Sequence, residues 1–308
     1  MTRIAITGAS GQYGRIVTQA LIEQGRAADL ILMTRSPAKL ADLAALGCDV
    51  RYGDYDQPAS MVAAMTGAER LLLISGTRVG ARVAQHQAAV DAARAAGVGH
   101  VVYTSFIGID DPANPAEVRH DHIETERLIR ASGLQFTFLR DAHYADAMIL
   151  MAGPGVMASG QWISNAGDGR EAMVWREDCA LCAVAVLTGE GHAGQTYDIT
   201  GPQLQTFAEV TELMAEVTGV PLRYVPVSDA EQYAMFDAMG IPRRPVDDQS
   251  VSGIPWNSDD MVTFGQAIRE GFLEVCSGDV ERLLGRPPRS VRQMIEDNAE
   301  MLRAAAGI

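Results

Sequence analysis

The chain has 308 residues, 47% of them hydrophobic, and a formal net charge of −14. That is enough length and apolar content for one large α/β domain, or for a nucleotide-binding domain with a smaller appendage, without disulfide staples. The scattered basic residues argue against nucleic acid and anionic membrane as partners, and the four cysteines (Cys48, Cys179, Cys182, Cys276) suit a reducing cytoplasm.

The first predicted element is a strand at 4–6. No basic, apolar and small-residue leader pattern precedes it, and no apolar run approaches bilayer length, so a cytoplasmic protein is expected. The strand runs straight into Thr7-Gly8-Ala9-Ser10-Gly11-Gln12-Tyr13-Gly14 and then an amphipathic helix with Ile16, Val17, Ala20 and Leu21. A strand, glycine turn and helix in this order aim free backbone N–H groups at an incoming phosphate, and the helix dipole favours its charge. Gly8 takes the tight turn, Gly11 lets the backbone approach a pyrophosphate, and Gly14 lets the helix lie against the strand.

Residues 30–33 read as a second strand, and Ser36-Pro37 opens a helix carrying Leu40, Leu43 and Leu46. A third strand, 48–52, ends in Gly53-Asp54-Tyr55-Asp56 and leads to a helix with Met61, Val62 and Met65. Strand 70–74 ends in Ser75-Gly76. A helix over 81–96, a strand at 101–104, a helix over 117–132 and a strand at 136–139 follow. This alternation predicts an α/β Rossmann fold, a doubly wound parallel sheet with right-handed crossovers.

Beyond residue 140 the rhythm breaks. Short strands at 160–164, 173–175, 196–199 and 222–225 alternate with helices near 176–187, 206–218 and 229–239, and a last helix starts near Ser290. We divide the chain into an NAD(P)-binding domain, 1–150, and a smaller α+β substrate-binding or lid domain, 151–308, some of whose segments return to the sheet. The Pro- and Asp-containing segment 242–260 is the expected loop or lid, and its Trp256 the expected contact for a flat substrate. Cys179-Ala-Leu-Cys182 lies in an apolar helical run and reads as core, and no metal site is expected.

An NAD-preferring site places a carboxylate after the second strand to bind the ribose 2′-OH. Here the residues are Met33-Thr34-Arg35-Ser36. Arg35 suits a 2′-phosphate, with Thr34, Ser36 and Lys39 in support, so NADP(H) is preferred and NAD(H) admitted. Asp54 is placed to accept from the adenine amino group and Tyr55 to cover the ring.

These residues, with Tyr103-Thr104-Ser105, His122-Ile123-Glu124-Thr125-Glu126 and Leu139-Arg140, fall in an order that resembles the NmrA-like atypical short-chain dehydrogenases. Within them the chain is most similar to the NAD(P)H:quinone oxidoreductase type 2 and triphenylmethane reductase branch. The resemblance implies NADPH bound by a Rossmann domain with a small C-terminal domain. Members reduce quinones or dyes by hydride transfer, or bind NADP without turnover as redox sensors. By position, residues 8–14 would hold the pyrophosphate, Ser75 and Gly76 the adenosine or ribose side, and Thr104 and Ser105 the nicotinamide ribose. His122 falls where ordinary short-chain dehydrogenases keep their catalytic Tyr, Glu126 where they keep the Lys, and Tyr144 matches an aromatic bordering the nicotinamide. Asp141, where the family has Asn or Pro, would repel anionic substrates or orient a hydroxyl.

The chain contains no Tyr-x-x-x-Lys, which disfavours alcohol–carbonyl interconversion. Hydride transfer to an electron-poor quinone asks less: orientation of the acceptor and one donor, for which His122, Tyr144 and Ser105 are the candidates. His122 has a second reading as a surface or capping residue of a charged helix, and Tyr144 one as core beside Met148, Ile149, Leu150 and Met151. The expected activity is NADPH-dependent reduction of a quinone or related aromatic acceptor. A non-catalytic NADP(H) sensor and a reductase or isomerase of one pathway metabolite are the alternatives, and the reading leaves room for a homodimer.

Overall fold

The structure, a computed structural model, describes residues 2–244 and 257–308. The chain divides into two compact units: Met1–Phe106, Asp121–Arg140 and Cys179–Tyr197 form one, and Ile107–His120, Asp141–Asp178 and Asp198–Ile308 form the other. Each therefore draws on separated stretches of sequence.

The first unit follows the predicted alternation: β1 (Ile4–Ile6), α1 (Gln12–Glu23), β2 (Leu30–Thr34), α2 (Ala41–Ala45), β3 (Asp49–Tyr52), α3 (Pro58–Met65), β4 (Arg70–Leu73), α4 (Arg82–Ala95), β5 (His100–Phe106), α5 (Glu117–Ala131) and β6 (Gln135–Asp141). Strand β1 pairs in parallel with both β2 and β4, β2 with β3, and β4 with β5. Strands β1, β2 and β5 are buried along their whole length, and β1 and residues 30–33 of β2 accordingly read as continuous apolar runs, while β5 also buries His100, Thr104 and Ser105. On one face of the sheet, Ile31, Met33, Leu71, Leu73, Val101 and Tyr103 pack against Met61, Met65, Ala89 and Ala93 of α3 and α4. Burying each of the Ile, Leu, Val and Met side chains among them contributes about 1.5–3 kcal/mol. The Rossmann α/β fold is as expected.

Local departures have local causes. The helix expected after Ser36 is a tight turn at Pro37–Leu40 followed by α2, and Leu46 is 54% exposed rather than core. Residues 173–175 are not a strand; Val174 makes one bridge to Tyr144, and the short strand there is Arg170–Glu171. After a wide helical turn at Ala147–Ala152 come α6 (Gly153–Ser159), β7 (Gln161–Ser164), β8 (Arg170–Glu171), α7 (Arg176–Thr188) and β9 (Gln195–Ile199). The sheet order is β3-β2-β1-β4-β5-β6-β9, so the last of these strands completes the sheet as its seventh member.

In the second unit, β7 pairs in parallel with Arg223–Pro226, and β8 pairs antiparallel with Gln205–Thr206. Its helices Phe207–Thr218 and Asp229–Ala238 each begin with a reciprocal capping box, Thr206 with Glu209 and Ser228 with Glu231. Of segment 242–260, Ser258 to Asp260 form the first turn of helix Ser258–Arg269, capped by Asn257; Trp256 and most of the expected lid lie outside the described residues. The expected last helix is two, Val291–Asp297 and Ala299–Ala305, separated at Asn298. Cys179 and Cys182 are fully buried in α7, as core. Among the described residues no helix is long and apolar enough to cross a membrane.

Arg70 anchors the returning segment, its Nη1 donating to the carbonyls of Leu187 (2.7 Å), in the last turn of α7, and Gly189 (2.9 Å), just past it. Arg70→Met keeps the stem and removes the charged donor, and is expected to cost about 2 kcal/mol, read as a lower urea midpoint at unchanged m-value.

Candidate functional site

At the end of β1 the Thr7 hydroxyl donates to the Leu72 carbonyl (3.2 Å) and accepts the Ile74 N–H (2.9 Å), fastening the carboxyl ends of β1 and β4 together. The sheet order reverses between these strands, which is where doubly wound proteins bind their ligands. Gly8 then turns with φ +59°, and its carbonyl accepts the Gly11 N–H at 2.9 Å. A Cβ on Gly14 would lie 2.6 Å from the Gly8 oxygen and 2.7 Å from Ala9 Cα, so only glycine lets α1 start this close to the turn. Helix α1 has no side-chain cap and no acid in its first turn, while Gly8, Gly11 and Gln12 are exposed. This is an open, positive helix end. Tyr13 is buried and donates its hydroxyl to the Cys179 carbonyl (2.9 Å), so it faces the turn with backbone.

Beside this turn, Ser10 Oγ and Thr34 Oγ1 are 3.1 Å apart, and Thr34 Oγ1 also accepts the Ser36 N–H. Arg35 and Lys39 are exposed at the end of β2. The Asp54 carboxylate closes its own loop, accepting from the Asp56 N–H (3.1 Å) and the Tyr52 hydroxyl (3.3 Å). Tyr55 donates to the Ile74 carbonyl (3.1 Å) and sets its ring against His86, and burial pushes its phenol up to about 12.

The loop after β4 is held by side chains at successive backbone groups. Thr104 Oγ1 accepts the Ser75 N–H (2.9 Å), and His86 Nε2 accepts the Gly76 N–H (3.3 Å). Arg82 Nε donates to the Gly76 carbonyl (2.6 Å), and Asp121 accepts the Gly80 N–H (2.7 Å). Thr125 gives its proton to the Asp121 carbonyl (2.7 Å), so the 2.9 Å contact between Thr125 Oγ1 and His86 Nδ1 must be donated by the imidazole. His86 is thus neutral with its proton on Nδ1. Burial, and then the Arg82 charge, lower its pKa to about 3.

Strand and helix periodicity bring together four further groups. Tyr103 and Ser105 share one face of β5, and His122 and Glu126 share one face of α5. Tyr103 Oη lies 2.8 Å from His122 Nδ1, and Ser105 donates to Glu126 Oε1 at 2.7 Å. Glu126, 1% exposed, is also gripped by Arg140 through Nε and Nη2, each at 2.9 Å. His122 is 5% exposed, with the Phe106 ring 6.0 Å from its own. Its surface or capping reading is therefore wrong: α5 turns this side chain inward. Burial, then the charge of Arg82 and the neighbouring His86, hold its pKa well below the ordinary value, so the ring is neutral. Sequence reasoning passed over Tyr103, His86 and Arg82. The spacing i, i+2 on a strand opposite i, i+4 on a helix was the available signal for Tyr103, and the i, i+4 pair Arg82 and His86 for the others.

Tyr144 belongs to the second unit. It donates to Asp141 Oδ2 (2.7 Å), and the Arg176 guanidinium lies 4.9 Å from its ring centroid. Asp141 is itself 3% exposed. Among the described residues no group of His, Cys, Asp and Glu is arranged to hold a metal ion.

Known proteins resemble this chain in sequence and in fold. The family profile described as NAD(P)H-binding matches residues 8–190. Quinone oxidoreductase 2 of Escherichia coli K12 is 36% identical over 239 residues, covering 78% of this chain and 82% of that protein. The crystal structure of an E. coli NADPH-dependent quinone oxidoreductase complexed with NADPH superposes with a TM-score of 0.87, at 32% identity over 96% of this chain and 99% of that one. Triphenylmethane reductase of Citrobacter sp. superposes with a TM-score of 0.86, at 33% identity over 97% of this chain and all of that one.

The buried neutral histidines make stability pH-dependent in a definite direction. Above pH 6.5 His86 is neutral in both folded and unfolded chains and contributes no slope. Below it the unfolded chain takes up a proton that the native ring refuses until about pH 3, so stability falls as pH drops. His86 alone is expected to contribute about 1.4 kcal/mol per pH unit, and His122 adds in the same sense. Urea unfolding from pH 7.5 to 5 checks this, and His86→Gln, which does not titrate, is expected to flatten the curve.

Proposed function

The chain belongs to the NAD(P)H-binding NmrA-like family, and from that premise we propose that it is an NADPH-dependent oxidoreductase reducing a quinone or related conjugated aromatic acceptor. The observation that carries this reading is the open amino end of α1 above the turn at residues 8–14. It offers exposed amides to a diphosphate, and the absence of a Cβ at Gly14 keeps them close to the strand. The relatives support the acceptor class: a quinone oxidoreductase, a triphenylmethane reductase and an NAD(P)H azoreductase from Xenophilus azovorans all act on extended conjugated molecules.

In this reading Thr7, Gly8, Ser10, Gly11, Gln12, Tyr13 and Gly14 shape the diphosphate cradle, and Arg35, with Lys39 and Thr34, binds the 2′-phosphate. Asp54 and Tyr55 border the adenine, and Ser75, Gly76 and Thr104 the riboses. When bound, the reduced nicotinamide supplies a hydride to the acceptor. The chain's own work is to orient the acceptor and to stabilise the oxygen on which negative charge appears. His122 is the donor for that oxygen. Ser105 stays bound to Glu126 and holds the strand–helix register. The acceptor's second proton comes from solvent, since a histidine that is neutral at working pH has no acidic proton to give.

Arg35→Ala is expected to raise KM for NADPH about 10- to 100-fold and leave KM for NADH within a factor of about two, the difference being one charge-assisted contact. Equal losses for both cofactors would remove the 2′-phosphate role. NADPH oxidation against a panel of benzoquinones, naphthoquinones, azo dyes and triphenylmethane dyes tests the activity itself. Tight NADPH binding with no acceptor accelerating oxidation would replace the reductase with a cofactor sensor.

A further inference from the structure

Tyr103 is not used by any step above, yet its phenol lies within hydrogen-bond distance of the one histidine placed at the chemistry. The contact, Tyr103 Oη to His122 Nδ1 at 2.8 Å, leaves open which atom carries the hydrogen. The surroundings decide it. Tyr103 is fully buried, with the His86 ring 5.5 Å and the Phe138 ring 6.3 Å from its own. A buried O–H must be donated, and His122 Nδ1, at 2.8 Å, is the acceptor it bonds; of the two hydroxyls nearby, Thr125 is already engaged with His86 and the Asp121 carbonyl, and Ser75 makes no hydrogen bond to the phenol. If Nδ1 held the hydrogen instead, the phenol proton would be stranded in the core, at a cost of about 1–3 kcal/mol.

We infer that Tyr103 is a positioning residue that fixes His122 in the tautomer with its hydrogen on Nε2, so that the imidazole offers the acceptor oxygen a neutral hydrogen bond. Among the described residues no protein group bonds Nε2. The site then holds two neutral histidines of opposite tautomer. His86, with hydrogen on Nδ1, spends both nitrogens on the protein; His122 spends only Nδ1 and keeps Nε2 for a ligand. Burial, then the Arg82 charge and the neighbouring His86, both from α4, keep the His122 ring neutral. Tyr103 of β5 faces it, and Asp121 and Glu126 of its own helix are the buried acids nearest in sequence, whose charge acts in the opposite sense. The inference rests on the reductase reading for its chemistry. There the quinone takes a hydride, that is two electrons and one proton, from the reduced nicotinamide, which leaves oxidised. The resulting quinol anion takes its last proton from solvent, and His122 is unchanged at the end.

The tautomer is read without turnover. In the full-length protein labelled with 15N-histidine, two-bond 15N–1H ring correlations are expected to show the Nε2–H pattern for His122, unchanged from pH 5.5 to 8. Tyr103→Phe keeps the packing and removes the donor. In that variant His122 is expected to show both tautomers, and kcat with NADPH and 1,4-benzoquinone to fall about 10- to 100-fold while KM for NADPH holds. An Nδ1–H pattern, or an imidazolium at pH 7, in the unaltered protein would overturn the inference even if Tyr103→Phe fails to fold. So would wild-type kcat in a folded Tyr103→Phe. Failure of every acceptor to be reduced, beside an Nε2–H spectrum, would sink the reductase reading and leave the tautomer assignment standing.

Discussion

The contact on which the rest depends is backbone against backbone: the first turn of α1 lying over the Gly8 carbonyl, where Gly14 has no side chain to intervene. A Cβ at that point would meet the Gly8 oxygen at 2.6 Å, and the helix start would have to move away from the strand. Because it stays, uncapped amides stand directly over the carboxyl end of β1. The Thr7 hydroxyl ties the same end to β4, so the loop that follows β4 inherits its position from the same turn.

Behind that loop the polar groups are organised so that few are left over. Gly76 is held by both its N–H and its carbonyl, from two residues one turn apart on α4. In a low-dielectric interior each of these bonds is stronger than in water, and each would be costly to leave half made. Glu126 shows the same economy with charge, since a carboxylate withdrawn from water is met by a two-pronged guanidinium and a hydroxyl. The second unit repeats the device at Asp178, fully buried and bonded by Arg286 at 2.7 Å and by the Arg289 N–H at 2.8 Å.

Much of this was legible before any coordinates. The glycine turn, the continuous apolar strands and the amphipathic helices gave the order of elements in the first unit, and the acid-free end of β2 pointed to Arg35. The misreadings are of one kind. Leu46 has helical spacing from Leu43, yet the helix stops at Ala45 and leaves it outside. Met173 to Trp175 have strand composition, yet Val174 pairs only with Tyr144. The charged run around His122 reads as a solvated face, because charge content does not say which face of α5 turns inward. In each case the local signal was real and a tertiary contact overrode it.

What the sequence determined alone was whatever depends on residues near one another in the chain. Spacing along a strand or helix, the conformations open to glycine and the reach of a capping side chain are local physics, and they sufficed for the Rossmann fold and its glycine turn. The tertiary structure decided the pairings of distant groups: Tyr103 with His122 across 19 positions, His86 with Thr125 across 39, and Thr7 with Leu72 across 65. The first two pairings set the tautomers of the buried histidines, burial and the Arg82 charge their protonation. Desolvation and hydrogen bonding act through space, and no periodicity in the chain encodes them.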